Sequence, residues 1–298
     1  MTGQIGHTVC ARSMKTARPA FTLIELLVVI AVIALLMAIL LPALGRVRRQ
    51  AKALQCQANL RQWGQILAVY AHDNEGRFPT DIAGSSGIWL LRGAIITGED
   101  PNAPEDSFHH FRTQGIGCCP LATESSTRGI FGTGTFFGST GIMVEGTPGS
   151  TFSAWEITKP EPPFRGSYGY NSWLFQGFSP HFDRFASRAF DLEVLTLKGR
   201  ADIPVLLDAA YLWGKPRDAE SPARREDAPG YGIRTFCINR HDGHVNSLFL
   251  DWSVRRIGLK ELWTVYWYQE FDRAGRWTRA GGVRPEDWPE WMRGFKDY

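Results

Sequence analysis

The sequence lacks the motifs that mark the commonest enzyme classes. It contains no G-x-S-x-G nucleophile elbow, no P-loop, no dinucleotide-binding glycine fingerprint and no H-E-x-x-H helix. Cysteine is scarce, with five residues in 298 and no C-x-x-C pair, which excludes a dense disulfide scaffold and the usual zinc or redox spacings. Net charge is small as well. The formal +3 is carried by Arg12, Lys15 and Arg18, in a stretch without a single acid. Beyond residue 20 the side chains balance, and nothing global attracts nucleic acid. No internal repeat of solenoid or propeller period is present. Long apolar runs are absent too, with one exception.

The exception is Phe21–Leu41, FTLIELLVVIAVIALLMAILL, whose only polar residues are Thr22 and Glu25. One bilayer crossing needs about 20 such residues. The run exceeds a secretory h-region of about 7–15 residues, and no A-x-A site follows it. The basic residues before it predict a cytoplasmic N-terminus by the positive-inside rule, while Arg46, Arg48, Arg49 and Lys52 read as the opposite flank. Glu25 stands out. An acid inside an apolar span opposes insertion by about 2.5–3.5 kcal/mol and calls for a partner and a role.

The segment RPAFTLIELLVVIAVIALLMAILLPAL resembles the N-terminal signature of type IV prepilins and type II secretion pseudopilins. The resemblance implies cleavage by a prepilin peptidase between Ala20 and Phe21, followed by N-methylation of Phe21. It makes Glu25 the fifth residue of the mature chain, acting in assembly, and Pro42 the twenty-second, kinking the helix. Ala20 stands where the family usually has glycine. It further implies a single-pass protein of the inner membrane with its globular part in the periplasm or outside. The implied partners are the peptidase, other pilin-like subunits and the assembly platform, with no nucleic acid. A start at Met14 would give the compact leader MKTARPA.

Past Pro42, apolar residues recur at Leu44, Val47, Ala51 and Leu54 and then at Leu60, Trp63, Leu67 and Tyr70, which is helical spacing. A single helix of about 50 residues would be about 75 Å long; the alternative is two helices broken at Pro42-Ala43-Leu44-Gly45. The stretch Glu75-Gly76-Arg77-Phe78-Pro79 stops the helix, with Gly76 as its C-cap. Downstream, Ile203–Leu207 and Val245–Leu250 read as strands, with Ser253–Ile257 as the return strand of a hairpin. The region 93–180 reads as long loops, and Asp218–Gly230 as an exposed one. The fold class is therefore α+β. A leader at 1–20 precedes a transmembrane helix at 21–44, the soluble half of a spine helix at 45–78 and a β-rich exported domain at 79–298.

The stretches CQANLRQWGQILAVYAHDNEGRFP, CPLA, SYGYNSWL, RHDGHVNSLFLDWSVRRI and LWTVYWYQEF resemble a large pseudopilin-like group. Its members carry a C-terminal His, nine residues, then Asp-Gly. His241 and Asp251 keep that spacing, but Trp252 replaces the glycine, which predicts a turn of altered type. Both motif residues are expected to stabilise the hairpin structurally. Asp242 and Asp251, with His241 and His244, have the oxygen-bearing look of a calcium site, but aspartates near turns more often bond local amides. His109, His110, Cys118 and Cys119 resemble a metal cluster in composition only. No metal and no other cofactor is expected. An exported domain gains from a disulfide that ties it to the helix, and Cys56 with Cys119 is the expected pair, leaving Cys118 and Cys237 paired or free. Trp263, Trp267, Trp277, Trp288 and Trp291 are expected to close the core. The resulting expectation is a pilus or secretion subunit without catalytic activity. The alternatives are a plain membrane-anchored protein with an exported ligand-binding domain, carbohydrate being one candidate ligand, and an exported hydrolase.

Overall fold

The computed structural model describes residues 23–78, 115–124, 134–137, 143–159, 164–175, 197, 200–227 and 230–298. Ala20 and Phe21, with His109 and His110, lie outside them. The chain divides into two compact units, Met1–Val47 and Arg48–Tyr298, and its secondary structure is α+β.

Helix α1 runs without interruption from Leu23 to Asp73, with Pro42 inside it. The two-helix alternative is thus excluded. In the first unit no described residue is buried, and the large apolar side chains are exposed all round the helix. Such a surface suits lipid and is poorly suited to water. A helix this long and apolar near the N-terminus fits a single-pass membrane anchor.

In the second unit α1 becomes one-sided. Cys56, Leu60, Trp63, Gly64, Leu67 and Ala71 are buried, and three- and four-residue steps place them on one face. A Cβ at Gly64 would lie 2.8 Å from Leu248 Cδ1, so glycine is what lets the helix approach the sheet. The helix ends in a Schellman arrangement: the Gly76 amide donates to the Ala71 carbonyl at 2.7 Å. The residue that first enters the left-handed region is Glu75, at φ 54°, with Gly76 following at 74°. The expected stop is therefore present one residue earlier than Gly76.

Two sheets follow. Strands β1 (Gly134–Phe137), β2 (Met143–Thr147), β3 (Trp155–Lys159) and β4 (Phe164–Gly166) form an antiparallel meander in that order. It lies in the region that the sequence presents as loops. The second sheet has the order β7-β5-β6-β8-β9, from β5 (Tyr168–Asn171), β6 (Pro204–Asp208), β7 (Trp213–Gly214), β8 (His244–Phe249) and β9 (Val254–Gly258). All its pairs are antiparallel except β5 with β7. Strands β6, β8 and β9 match the expected ones within a residue. Apolar side chains fill β6 on both faces, and every residue in it is buried.

Tryptophans then fix the loops. The indole N–H of Trp63 donates to Ile116, that of Trp173 to Pro216, that of Trp263 to Glu220 and that of Trp291 to Ala223, at 2.8–3.0 Å. The expected exposed loop is exposed over much of its described length, with Glu220 and Ala223 held by the indoles. Trp263, Trp267, Trp277 and Trp288 are buried as expected, and Trp291 packs at the core's edge.

Candidate functional site

Four side chains that are far apart in sequence meet in the core of the second unit. Cys56 comes from the buried face of α1, Cys119 from the turn segment 115–124, Asp208 from the last position of β6 and His241 from the turn before β8. Their sulfur, nitrogen and oxygen atoms all lie within 4.8 Å of one another, and all four residues are buried. His241 Nε2 lies 3.0 Å from Asp208 Oδ2 and 3.5 Å from Cys119 Sγ. Cys56 Sγ lies 3.5 Å from Asp208 Oδ1 and 3.6 Å from Oδ2.

A second layer orients these groups. The Asn246 amide donates to Asp208 Oδ2 at 2.9 Å, and the Tyr168 hydroxyl donates to Cys56 Sγ at 3.3 Å. Ser167 Oγ accepts from the Cys119 amide at 2.6 Å. Arg240, its side chain fully buried, places Nη1 3.2 Å from Asp208 Oδ1. Its other donors go to the carbonyls of Thr151, Ser167, Ser150 and Ala209 at 2.7–3.3 Å. A buried guanidinium is tolerated because every face of it is bonded.

The charges follow from this geometry. Burial favours a neutral Asp208, but His241, Arg240 and the Asn246 amide outweigh it and bring the carboxyl down to about 2. Burial likewise opposes a charged His241, yet the adjacent carboxylate, helped by Cys119, pushes the ring up to about 9. For Cys119, burial raises the thiol, whereas the hydrogen bond with Cys56, then His241 and Arg240, bring it down to about 6. These directions favour a thiolate–imidazolium pair braced by a carboxylate. That composition would suit a nucleophile, but Cys119 is 1% exposed and His241 5%, so the sulfur is not presented to solvent.

The structure therefore brings Cys56 and Cys119 together as free cysteines instead of the expected disulfide, and both also contact the acid and histidine. Cys118 and Cys237 are also free. Asp208 and Arg240 were not foreseen. The available signal for Asp208 was a lone acid within the apolar stretch Pro204–Leu212.

His241 and Asp251 separate in role. Asp251 Oδ1 accepts from the Ser253 amide at 3.0 Å and the Ser253 hydroxyl at 2.6 Å, closing the β8–β9 turn. His241 sits at the opposite end of β8, and its side chain serves β6 instead of the hairpin. The calcium grouping does not converge: His244 Nδ1 faces the Asp242 carbonyl and Arg256, while Asp251 is committed to its own turn. The β8–β9 connection is a three-residue loop, residues 250–252, instead of a two-residue turn. Trp252 occupies the left-handed region at φ 67°, with its amide bonded to the Phe249 carbonyl at 2.9 Å, as a glycine would be in a three-residue hairpin loop. Edge contact of its ring with Phe78 at 6.2 Å, itself stacked on Phe175, helps hold it there.

At the other end of the chain, Glu25 lies exposed in the first turn of α1, within the apolar unit. Pro42 lies farther along the same helix, still within that unit. Residues 16–41 match the family described as the prokaryotic N-terminal methylation motif. The matched stretch contains Ala20, Phe21 and Glu25 and is consistent with a prepilin-type N-terminal signal. No curated protein and no solved structure shows significant similarity to the chain.

Proposed function

We propose that the chain is a prepilin-like subunit of a type IV pilus or type II secretion-like apparatus. In this reading it is cut by a prepilin peptidase between Ala20 and Phe21, N-methylated on Phe21 and held in the inner membrane by α1. Its globular part then lies in the periplasm or outside. The observation that carries the reading is the methylation motif at residues 16–41, placed at the start of a helix whose first unit is apolar on every side. A chain matured in this way has its partners among other pilin-like subunits and the platform that assembles them. In this reading it needs no catalysis of its own.

Glu25 has a defined part in this proposal. After cleavage the Phe21 amine lies four residues before Glu25, and methylation leaves the amine charged. Docking of a neighbouring subunit sets its Phe21 amine against the Glu25 carboxylate. At about 4 Å and an effective dielectric of about 20 the gross attraction is about 4 kcal/mol before desolvation is subtracted. That selects one axial register over a generic apolar contact. The test is Glu25→Ala in cells that carry the peptidase and platform. Cleavage and membrane insertion should survive, while incorporation into filaments or cross-linked multimers fails. Normal multimers from this variant would contradict the role.

A further inference from the structure

We propose that Cys56, Cys119, Asp208 and His241 form a structural site for a borderline-soft divalent cation, zinc above all. The inference goes beyond the assembly role and does not depend on it. It rests on how four donors from four separate elements converge. A four-coordinate zinc site with sulfur bonds of about 2.3 Å and nitrogen or oxygen bonds of about 2.0–2.1 Å has donor–donor edges of about 3.3–3.8 Å. The contacts between His241 and Cys119, at 3.5 Å, and between Cys56 and Asp208, at 3.5–3.6 Å, fall in that range. The His241–Asp208 contact is slightly tighter at 3.0 Å.

The donor set also selects the ion. Two sulfurs and an imidazole with one carboxylate exclude calcium and magnesium, which take oxygen ligands, and suit zinc. Four protein ligands with no open position describe a structural site instead of a catalytic one.

Charge gives the second argument. Two thiolates and one carboxylate carry three negative charges, and a divalent cation with the buried Arg240 guanidinium carries three positive ones. The guanidinium lies on Asp208 Oδ1 and His241 on Oδ2, with Cys56 Sγ 3.5–3.6 Å from both oxygens. The Tyr168 hydroxyl and the Asn246 amide supply the outer hydrogen bonds that orient ligands in such centres. Binding displaces to solvent whatever protons the two sulfurs and His241 Nε2 still hold, so no oxidant or reductant is required. The site would fasten the soluble half of α1 to segment 115–124, to β6 and to the turn before β8.

The test uses the full chain, extracted from membranes in detergent and purified without chelator. Metal analysis should find about one zinc per chain, and X-ray absorption should show two sulfur neighbours at about 2.3 Å and two lighter ones at about 2.0–2.1 Å. Protein recovered without metal should take up one equivalent of zinc chloride under reducing conditions. Cys119→Ser and His241→Ala should each lower zinc affinity at least tenfold, while Cys237→Ser leaves it unchanged. Should those variants fail to fold, the absorption spectrum of the unsubstituted protein still decides. Failure to bind zinc after reduction would overturn the proposal. So would a zinc shell without sulfur, or a Cys56–Cys119 disulfide that persists as the native form in freshly extracted protein.

Discussion

His241 and Asp208 meet through Nε2 and Oδ2 at 3.0 Å, with both side chains buried. The same carboxylate binds Arg240 through its other oxygen at 3.2 Å. Asp208 is thus the hinge between the histidine of the C-terminal motif and a guanidinium that gathers the carbonyls of three separate segments.

Breaking this arrangement from one side should be severe. Arg240→Met leaves Asp208 buried without its guanidinium and strands four carbonyl contacts. The expected loss is about 3–5 kcal/mol of stability, read as a lower denaturation midpoint of the detergent-solubilised chain. A loss below about 1 kcal/mol would show that the buried pair contributes little.

Trp252 tests backbone strain against packing. Trp252→Ala removes the ring but keeps a side chain in the left-handed region, whereas Trp252→Gly removes both the ring and the strain. The glycine variant should exceed the alanine variant in stability by about 1 kcal/mol. Equal stabilities would mean that the turn relaxes to another conformation when the ring is lost.

Lys215 gives a pH signature outside the cluster. Burial, with a smaller contribution from Arg217, brings its amine down to about 8 from the ordinary 10.5, although the Trp173 face 4.2 Å away favours the cation. Between those two pH values the unfolded chain binds more protons than the folded one, so this group makes stability rise with pH. Unfolding wild type and Lys215→Met at pH 8 and at pH 10 should show wild type gaining on the variant as pH rises. Parallel behaviour of the two would contradict a depressed amine.

Much of this architecture was legible because it rests on local patterning. The apolar run after Phe21, the one-sided spacing from Cys56 to Ala71 and the apolar strands β6 and β8 each declare themselves within a few residues. The β1–β4 meander did not, because its strands are short and interleaved with Gly, Ser and Pro, the residues that signal loops. The cluster was legible only in pieces. Cys56 with Cys119 was expected as a disulfide and His241 as a brace of the hairpin, and neither expectation pointed to Asp208. Their meeting depends on strand order, which brings β6 beside β8 and sets the end of one against the start of the other. Trp252 misled for a different reason: a rule about backbone preference was overridden by tertiary contact of the ring.

The central claim, that this chain is matured as a prepilin, is tested most directly at its N-terminus. Mass spectrometry of the protein extracted from membranes that contain a prepilin peptidase should find a chain that begins at Phe21 and carries one methyl group on its amine. A chain that retains its leader, beginning at Met1 or Met14, would contradict the account.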